Sequence, residues 1–172
     1  MKTMIAALAL LAAAGAARAE GTDAAATGFQ VRREVVIAAP ANAVWATLVT
    51  PAKWWASDHT WSGSAANLSL GAASGGCFCE RLPSGGSVLH ATTIYAAPGQ
   101  KLVLSGALGP MQSSGATGAL TFLLAEKDGK TTVTVTYDVG GYFRGGIDKI
   151  AKPVDGVLGQ QVQGLKRAAE GN

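Results

Sequence analysis

Hydrophobic and polar residues alternate along the middle of the chain. The alternation is clearest over residues 131–139, where Val133, Val135, Tyr137 and Val139 share one face and threonines with one aspartate share the other. A strand of this kind packs one face on a core and turns the other to water. Similar or Val/Ile-rich runs, bounded by Gly, Pro and Asp turn residues, predict further strands at 29–38, 66–70, 77–82, 87–97, 101–108 and 118–125. Their close spacing indicates an antiparallel meander.

Helical spacing appears on both sides of the predicted strand run. Apolar residues recur at intervals of three or four after Pro40, and Pro51 begins a second short helical piece. Pro153 suits the first turn of a closing helix that extends to about residue 169. Its apolar stripe comprises Val154, Val157, Leu158, Gln161, Val162, Leu165 and Ala169. These elements predict an α+β domain in which a curved sheet wraps one long helix.

The beginning of the chain has the order of a secretory signal. Lys2 is followed by an uncharged apolar run over residues 4–14 and by the small-x-small sequence that ends at Ala19. The alternatives are a membrane anchor or an ordinary first helix. The run is shorter than the roughly 20 residues that span a bilayer, and it lacks the polar face of a packed helix. We therefore expect a signal peptide at residues 1–19 and a bacterial protein that is periplasmic or secreted.

The remaining chain has the size and composition of one domain. Residues 20–28 are rich in Ala, Gly and Thr, which predicts a flexible lead-in before a domain at residues 29–170. A formal net charge of +3, from 14 basic and 11 acidic residues, is too small and dispersed to indicate nucleic-acid binding. The later apolar runs are short, so we expect no membrane span in the mature chain, and the oligomeric state stays open.

The two cysteines, Cys77 and Cys79, fall two apart on one predicted strand. In a regular strand their Cα atoms lie about 6.5 Å apart with parallel side chains, which favours free thiols over a disulfide. With His90 or Met111 they could also ligate a soft metal ion. The paired spacings of strong metal sites are missing, so we expect neither a metal nor another cofactor.

Three short motifs resemble a known superfamily. These are VIAAPANAVW at residues 36–45, PAKWW at residues 51–55 and GGCF at residues 75–78. They resemble the opening strand, the following helical segment and the third strand of the START-like, or SRPBCC, superfamily. The likeness extends over about residues 31–169 and is closest to the branch named after the activator homologue of the large heat-shock chaperone's ATPase.

The resemblance implies a helix-grip fold, in which a curved seven-stranded antiparallel sheet holds the C-terminal helix. It also implies an internal pocket between sheet and helix that takes apolar molecules or lipids. The activity that gives the branch its name does not carry over, because an exported protein does not meet a cytoplasmic chaperone.

Aromatic residues and one histidine are the candidate ligand-binding residues of such a pocket, although aromatic side chains also serve as ordinary core. The candidates are Trp54, Trp55, Trp61, His90, Tyr95, Phe122, Tyr137 and Phe143. His90 is also a candidate catalytic acid or base beside Glu80 or Arg81, and the alternative is a hydrogen-bonded structural histidine.

Three functions fit these observations. The first is binding of a hydrophobic or amphipathic small molecule in the pocket. The second is a cyclase or dehydratase that uses His90 in the pocket. The third is interaction with envelope proteins through the exposed threonine face or the aromatic rim. The chain has neither a Ser nucleophile elbow nor a phosphate-binding loop, which favours a binding protein over an enzyme.

Overall fold

A computed structural model describes residues 21–171 of the 172-residue chain. The predicted signal peptide at residues 1–19 lies outside the described residues. The strands are β1 Gly21–Ala25, β2 Gly28–Ile37, β3 Leu68–Leu70, β4 Cys77–Arg81, β5 Ser87–Ala97, β6 Lys101–Ser105, β7 Gly115–Lys127 and β8 Lys130–Tyr142. The helices are α1 Ala41–Leu48 and α2 Ala151–Ala169, with five short 3-10 helices between these elements.

All eight strands form one antiparallel sheet in the order β1-β2-β8-β7-β6-β5-β4-β3. Strands β2 to β8 give the seven-stranded helix-grip arrangement, and β1 adds an eighth strand at the edge beside β2. The expected lead-in at residues 20–28 therefore contains a strand, because the backbone of residues 21–25 pairs with β2. Apolar patterning did not reveal β1, since its small and polar side chains are exposed.

The concave face of the sheet carries the core. On β8 the buried positions alternate as predicted, with Val133, Val135, Tyr137 and Val139 inward. The inward residues of β6 and β7 lie beside them and include Leu104 and Leu120. Thr132, Thr134 and Thr136 face outward, which accounts for the amphipathic sequence of this strand, whereas Thr131 is buried and donates to the Ala39 carbonyl at 2.7 Å.

Helix α2 begins two residues before Pro153 and lies on this concave face. Its stripe is buried at Leu158, Gln161, Val162 and Leu165. Gly164 allows the helix to approach α1 and the following segment, because a Cβ built there would overlap the Trp54 carbonyl oxygen. Within residues 21–171, no helix is both long and apolar enough for a membrane span.

Two polar contacts fix α2 to β2. The Arg33 guanidinium donates to both carboxylate oxygens of Asp155, at 2.7 and 2.6 Å. Near the end of the helix, Lys166 donates to the Val36 carbonyl at 2.7 Å. The helix is therefore held against one side of the sheet, toward β2, while the strands from β7 to β3 curve away on the other side.

The cysteine prediction is wrong: Cys77 and Cys79 form a disulfide, and residues 21–171 contain no free cysteine. The register between β4 and β5 shifts at Phe78/Cys79, where β5 contains one extra residue, His90. The Cα atoms of the two cysteines lie 5.4 Å apart, which is within the usual range for a disulfide.

Candidate functional site

A cavity of about 360 Å³ lies between the sheet and the N-terminal half of α2. Volumes of this order are typical of small-molecule sites. Its apolar wall comprises Trp55, Phe78, Leu108, Pro110, Met111, Ile150, Pro153, Val154, Val157 and Leu158. Its polar side chains are Asp58, His59, Thr60, Trp61, His90 and Tyr137.

The three predicted tryptophans occupy three different environments. Trp54 is buried in the core, and its Nε1 donates to the Leu48 carbonyl at 3.1 Å. Trp55 lines the cavity, and its Nε1 donates to the His59 carbonyl at 3.1 Å. Trp61 is 56% exposed at the mouth of the cavity. Trp55 and Trp61 therefore belong to the site, whereas Trp54 belongs to the packing beside it.

Residues 57–62 form a segment across the opening, called here the mouth loop. The Trp61 indole Nε1 donates to Gln112 Oε1 at 2.9 Å, which joins the mouth loop to the 3-10 helix Gly109–Ser113. Gln112 Nε2 in turn donates to the Leu89 carbonyl at 3.0 Å. The opening is thus bordered by β5 and by two short segments that are hydrogen-bonded to each other.

A buried carboxylate beneath the mouth loop connects it to the cavity wall. Glu80 is fully buried, and His90 is 8% exposed. Glu80 Oε2 lies 2.9 Å from His90 Nε2 and accepts the Trp61 backbone N–H at 3.1 Å. Glu80 Oε1 accepts the backbone N–H of Ser62. The predicted neighbourhood of Glu80 and His90 is therefore present, while Arg81 is exposed.

The charge of Glu80 follows from these contacts. Burial raises the pKa of the Glu80 carboxyl, but hydrogen bonds from Ser62, from the neighbouring backbone and from His90 outweigh it. The pKa therefore lies below its ordinary value, and Glu80 is ionised at neutral pH. The sequence did not indicate that Glu80 would also anchor a loop.

Tyr137 lies at the floor of the cavity with both hydrogen-bonding functions of its hydroxyl occupied. It accepts the Leu108 backbone N–H at 3.0 Å and donates to the Gly106 carbonyl at 3.0 Å. Burial raises the pKa of Tyr137 to about 12. The ring therefore contributes a neutral surface, and we assign it to the wall.

The other predicted site residues lie away from the cavity. Tyr95 is 51% exposed on the outer face of β5, where the Lys101 ammonium lies 5.3 Å from its ring centroid. A register shift between Thr93 and Tyr95 puts Tyr95 opposite Val103, so the structure does not support its placement in the pocket. Phe122 is buried against Trp54, and Phe143 packs on the core outside the cavity.

The sequence reasoning missed Phe78 and most of the apolar lining. The Phe78 ring centroid lies 5.3 Å from that of Trp55 and 5.0 Å from that of His90, so these rings form a continuous aromatic wall. Met111 is fully buried in a 3-10 helix that periodicity does not predict. The signal available for Phe78 was its place in the GGCF motif.

The disulfide changes the metal hypothesis for Cys77 and Cys79. Both sulfur atoms are bonded to each other, so neither is a thiolate that could ligate an ion. Within residues 21–171, no group of three or more His, Cys, Asp or Glu side chains is arranged to hold a metal.

Solved structures with this architecture come from several sources. A protein from Rhizobium leguminosarum matches with a TM-score of 0.63 and 17% identity, over 88% of this chain and 98% of that one. Protein MLL2253 from Mesorhizobium loti matches with a TM-score of 0.59 and 17% identity, over 83% and 98% of the two chains. The di-domain ARO/CYC StfQ from the steffimycin biosynthetic pathway matches with a TM-score of 0.54 and 14% identity. That match covers 84% of this chain and 50% of StfQ. At these identities the likeness shows the fold.

The sequence itself gives the family. No curated protein matches the chain. The sequence profile described as polyketide cyclase / dehydrase and lipid transport matches residues 28–170. This match and the helix-grip architecture confirm the predicted START-like superfamily, while the heat-shock activator branch stays a prediction. The chain belongs to the polyketide cyclase / dehydrase and lipid transport family.

Proposed function

We propose that this protein binds a hydrophobic or amphipathic small molecule in the cavity between the sheet and α2. The observation that carries the proposal is the hollow of about 360 Å³, whose wall is mostly apolar and aromatic. Burial of apolar surface contributes roughly 25 cal/mol per Å², so a ligand enclosed on most sides gains affinity without many polar contacts. The family description, which includes lipid transport, supports the same function.

A fluorescent apolar probe tests the proposal. We expect N-phenyl-1-naphthylamine to bind to the protein with enhanced emission, and native mass spectrometry to detect apolar molecules that co-purify. Val157→Phe adds a ring at a half-buried position of the wall and should weaken probe binding at least tenfold. Val36→Phe makes the same change at a position that is 51% exposed, and it should leave binding unchanged.

Two results would contradict the proposal. One is an absence of probe binding by the wild-type protein. The other is equal binding by wild type and Val157→Phe, since the probe would then lie on the surface and not in the cavity.

A second candidate function is catalysis of the cyclase or dehydratase type. It is favoured by His90, which lines the cavity while Glu80 holds its other ring nitrogen. In a dehydration, His90 would remove the proton next to a ketone and deliver it to the β-hydroxyl, which leaves as water while a carbon–carbon double bond forms. An aromatic β-hydroxyketone tests it: wild type should accelerate loss of water, and His90→Gln should not. Equal rates for both proteins would remove this candidate.

We also propose that the protein is exported and acts in the periplasm or outside the cell. The N-terminal pattern that ends at Ala19 supports this location. The Cys77–Cys79 disulfide supports it independently, because such bonds persist in oxidising compartments. Expression of the full chain should yield a periplasmic species that starts at Glu20. Recovery of unprocessed chain from the cytoplasm alone would contradict the proposal.

A further inference from the structure

His90 is a buried cavity residue whose hydrogen-bonding capacity the fold leaves half used. Its Nε2 lies 2.9 Å from Glu80 Oε2. Its Nδ1 has no hydrogen-bond partner within residues 21–171, and the ring forms part of the cavity wall. The two nitrogens of this ring therefore have different roles, one toward the protein and one toward the cavity.

The environment of Glu80 decides which nitrogen carries the hydrogen of the neutral ring. An ionised carboxylate accepts hydrogen bonds and donates none. Glu80 already accepts the backbone N–H groups of Trp61 and Ser62, which hold it in the charged form. His90 Nε2 must then be the donor to Glu80, so Nδ1 carries the lone pair.

Three other polar side chains of the cavity have partners in the protein. The Tyr137 hydroxyl both donates and accepts at 3.0 Å. His59 Nε2 lies 2.9 Å from Gln160 Oε1, and the Thr60 hydroxyl donates to the Ser57 carbonyl at 2.7 Å. Asp58 is exposed and His59 is half-buried, so among the buried side chains of the lining His90 Nδ1 is the acceptor that remains for a molecule held deep in the cavity.

We infer that the ligand of this cavity carries an aromatic hydroxyl group, which donates its hydrogen to His90 Nδ1. The inference rests on the proposed function and names the chemical class of the ligand. Glu80 is a positioning residue, because it sets the tautomer of His90 through Nε2 without touching the ligand.

Charge and shape favour a ligand with an aromatic hydroxyl over an ether, a ketone or a carboxylate. An ether or a ketone has no hydrogen to donate to a nitrogen lone pair. A carboxylate has none either, and it would put a second negative charge close to Glu80. The wall beside His90 is formed by the rings of Phe78 and Trp55, which suits a flat aromatic body next to the hydroxyl.

A matched pair of probes tests the hydrogen bond. We expect 2-naphthol to bind about tenfold more tightly than 2-methoxynaphthalene, which has the same ring system but no donor; this ratio corresponds to one hydrogen bond. Equal dissociation constants for the two probes would overturn the inference and leave the proposed function intact. Failure of both probes to bind would contradict the inference together with the proposed function.

The tautomer gives a second readout that does not depend on ligand binding. The chain has two histidines, so ¹⁵N chemical shifts of the imidazole rings are readily assigned, with His59 as the internal comparison. We expect the neutral His90 ring to carry hydrogen on Nε2. Hydrogen on Nδ1 in the wild-type protein would overturn the inference.

Glu80→Gln should reverse the preference. The new amide can donate to Nε2, which moves the ring hydrogen to Nδ1 and turns the cavity acceptor into a donor. We expect 2-naphthol to lose about tenfold in affinity, while 2-acetylnaphthalene, an acceptor, binds more tightly than to wild type. Glu126→Gln is the control, because Glu126 also accepts a backbone N–H, from Ala41 at 2.8 Å, but lies away from the cavity.

Each outcome for the variant bears on the inference. Reversal of the probe preference with a changed ¹⁵N pattern supports it. An unchanged naphthol-to-ether ratio in a folded Glu80→Gln protein would contradict it. If this variant does not fold, the wild-type ratio and the wild-type tautomer still decide.

Discussion

The layer between the sheet and the helices is solid at one end and hollow at the other. At the end near α1, Leu48, Trp54 and Phe122 pack around a void of only about 10 Å³. Under the N-terminal half of α2, the same kinds of side chain surround about 360 Å³. Residues of α2 line the larger cavity and not the smaller void, so the hollow is the part of this layer that α2 covers.

Two backbone features accompany this difference. At Gly164 the missing side chain lets α2 contact the Trp54 carbonyl oxygen. At the other end, a 3-10 helix at Asp148–Ile150 precedes α2. The mouth loop and the 3-10 helix Gly109–Ser113 lie at the edge of the cavity there and do not fill its centre. The close approach is at Gly164, and the cavity lies under the other end of α2.

The largest expected effect on the free energy of unfolding comes from two buried leucines of α2, which lie in the two regions. Leu165→Ala removes a side chain from the solid end, and we expect it to lower the free energy of unfolding by about 3–5 kcal/mol. Leu158→Ala should cost about 2–3 kcal/mol, because Leu158 already borders the cavity and loses fewer contacts. Urea unfolding of both variants measures the difference. Equal losses would mean that the two ends are packed alike.

The next largest effect on stability is expected from substitution of two glycines of α2. Gly164→Ala should destabilise the protein by about 1–3 kcal/mol, since the new Cβ overlaps the Trp54 carbonyl oxygen and forces α2 outward. Gly156→Ala, where a Cβ meets no atom within 4 Å, should instead stabilise by about 0.5–1 kcal/mol. Thermal unfolding of the pair reads out the sign. A stabilising Gly164→Ala would show that α2 does not need this close approach.

A smaller effect is expected from the disulfide beside the hollow region. The bond between Cys77 and Cys79 closes a loop of three residues, so it restricts the unfolded chain little. The double variant Cys77→Ser/Cys79→Ser should lose only about 1–2 kcal/mol in urea unfolding. Reduction of the wild-type protein with dithiothreitol should have the same effect. A loss above about 4 kcal/mol would mean that this bond supports the whole sheet.

The smallest effect is on the pH dependence of the free energy of unfolding, to which Glu80 beside the cavity contributes. Because the folded state lowers the pKa of Glu80, its contribution to stability is present above the unfolded-state pKa and is lost as pH falls through the folded value. Between pH 6 and pH 3, Glu80→Gln should therefore unfold with a shallower pH dependence than wild type. The difference cannot exceed one proton, or about 1.4 kcal/mol per pH unit. Identical slopes would contradict the lowered pKa.

Sequence patterns predict which segments of this chain form strands better than they predict where each strand begins and ends. The prediction for β5 matches Ser87–Ala97, because turn residues bound it on both sides. Strands β7 and β8 extend further than predicted, since their backbones continue to pair through glycines such as Gly140 and Gly141 that carry no hydrophobic signal. Backbone pairing also explains β1, whose side chains are exposed.

A bulge accounts for one misplaced site residue, Tyr95. Strand β5 contains two extra residues, His90 opposite Phe78/Cys79 and Ile94 between Thr93 and Tyr95, and the second one leaves Tyr95 on the outer face. One extra residue in a strand reverses the face on which all later residues of that strand lie, and the sequence does not mark where it falls. The sequence identifies His90 because a histidine in a pocket can act as an acid or base, whereas the apolar wall depends on the position of α2 in space.

The hydrogen bond between Trp61 and Gln112 at the mouth of the cavity has a kinetic consequence. Both side chains lie at the protein surface, so water can replace their hydrogen bond at a net cost of about 0.5–1.5 kcal/mol. Loop segments of this kind move in nanoseconds to microseconds. Under the proposed function, this indole–amide contact can open while Glu80 still holds the backbone of the mouth loop, so exchange of a bound molecule requires no unfolding of the β-layer.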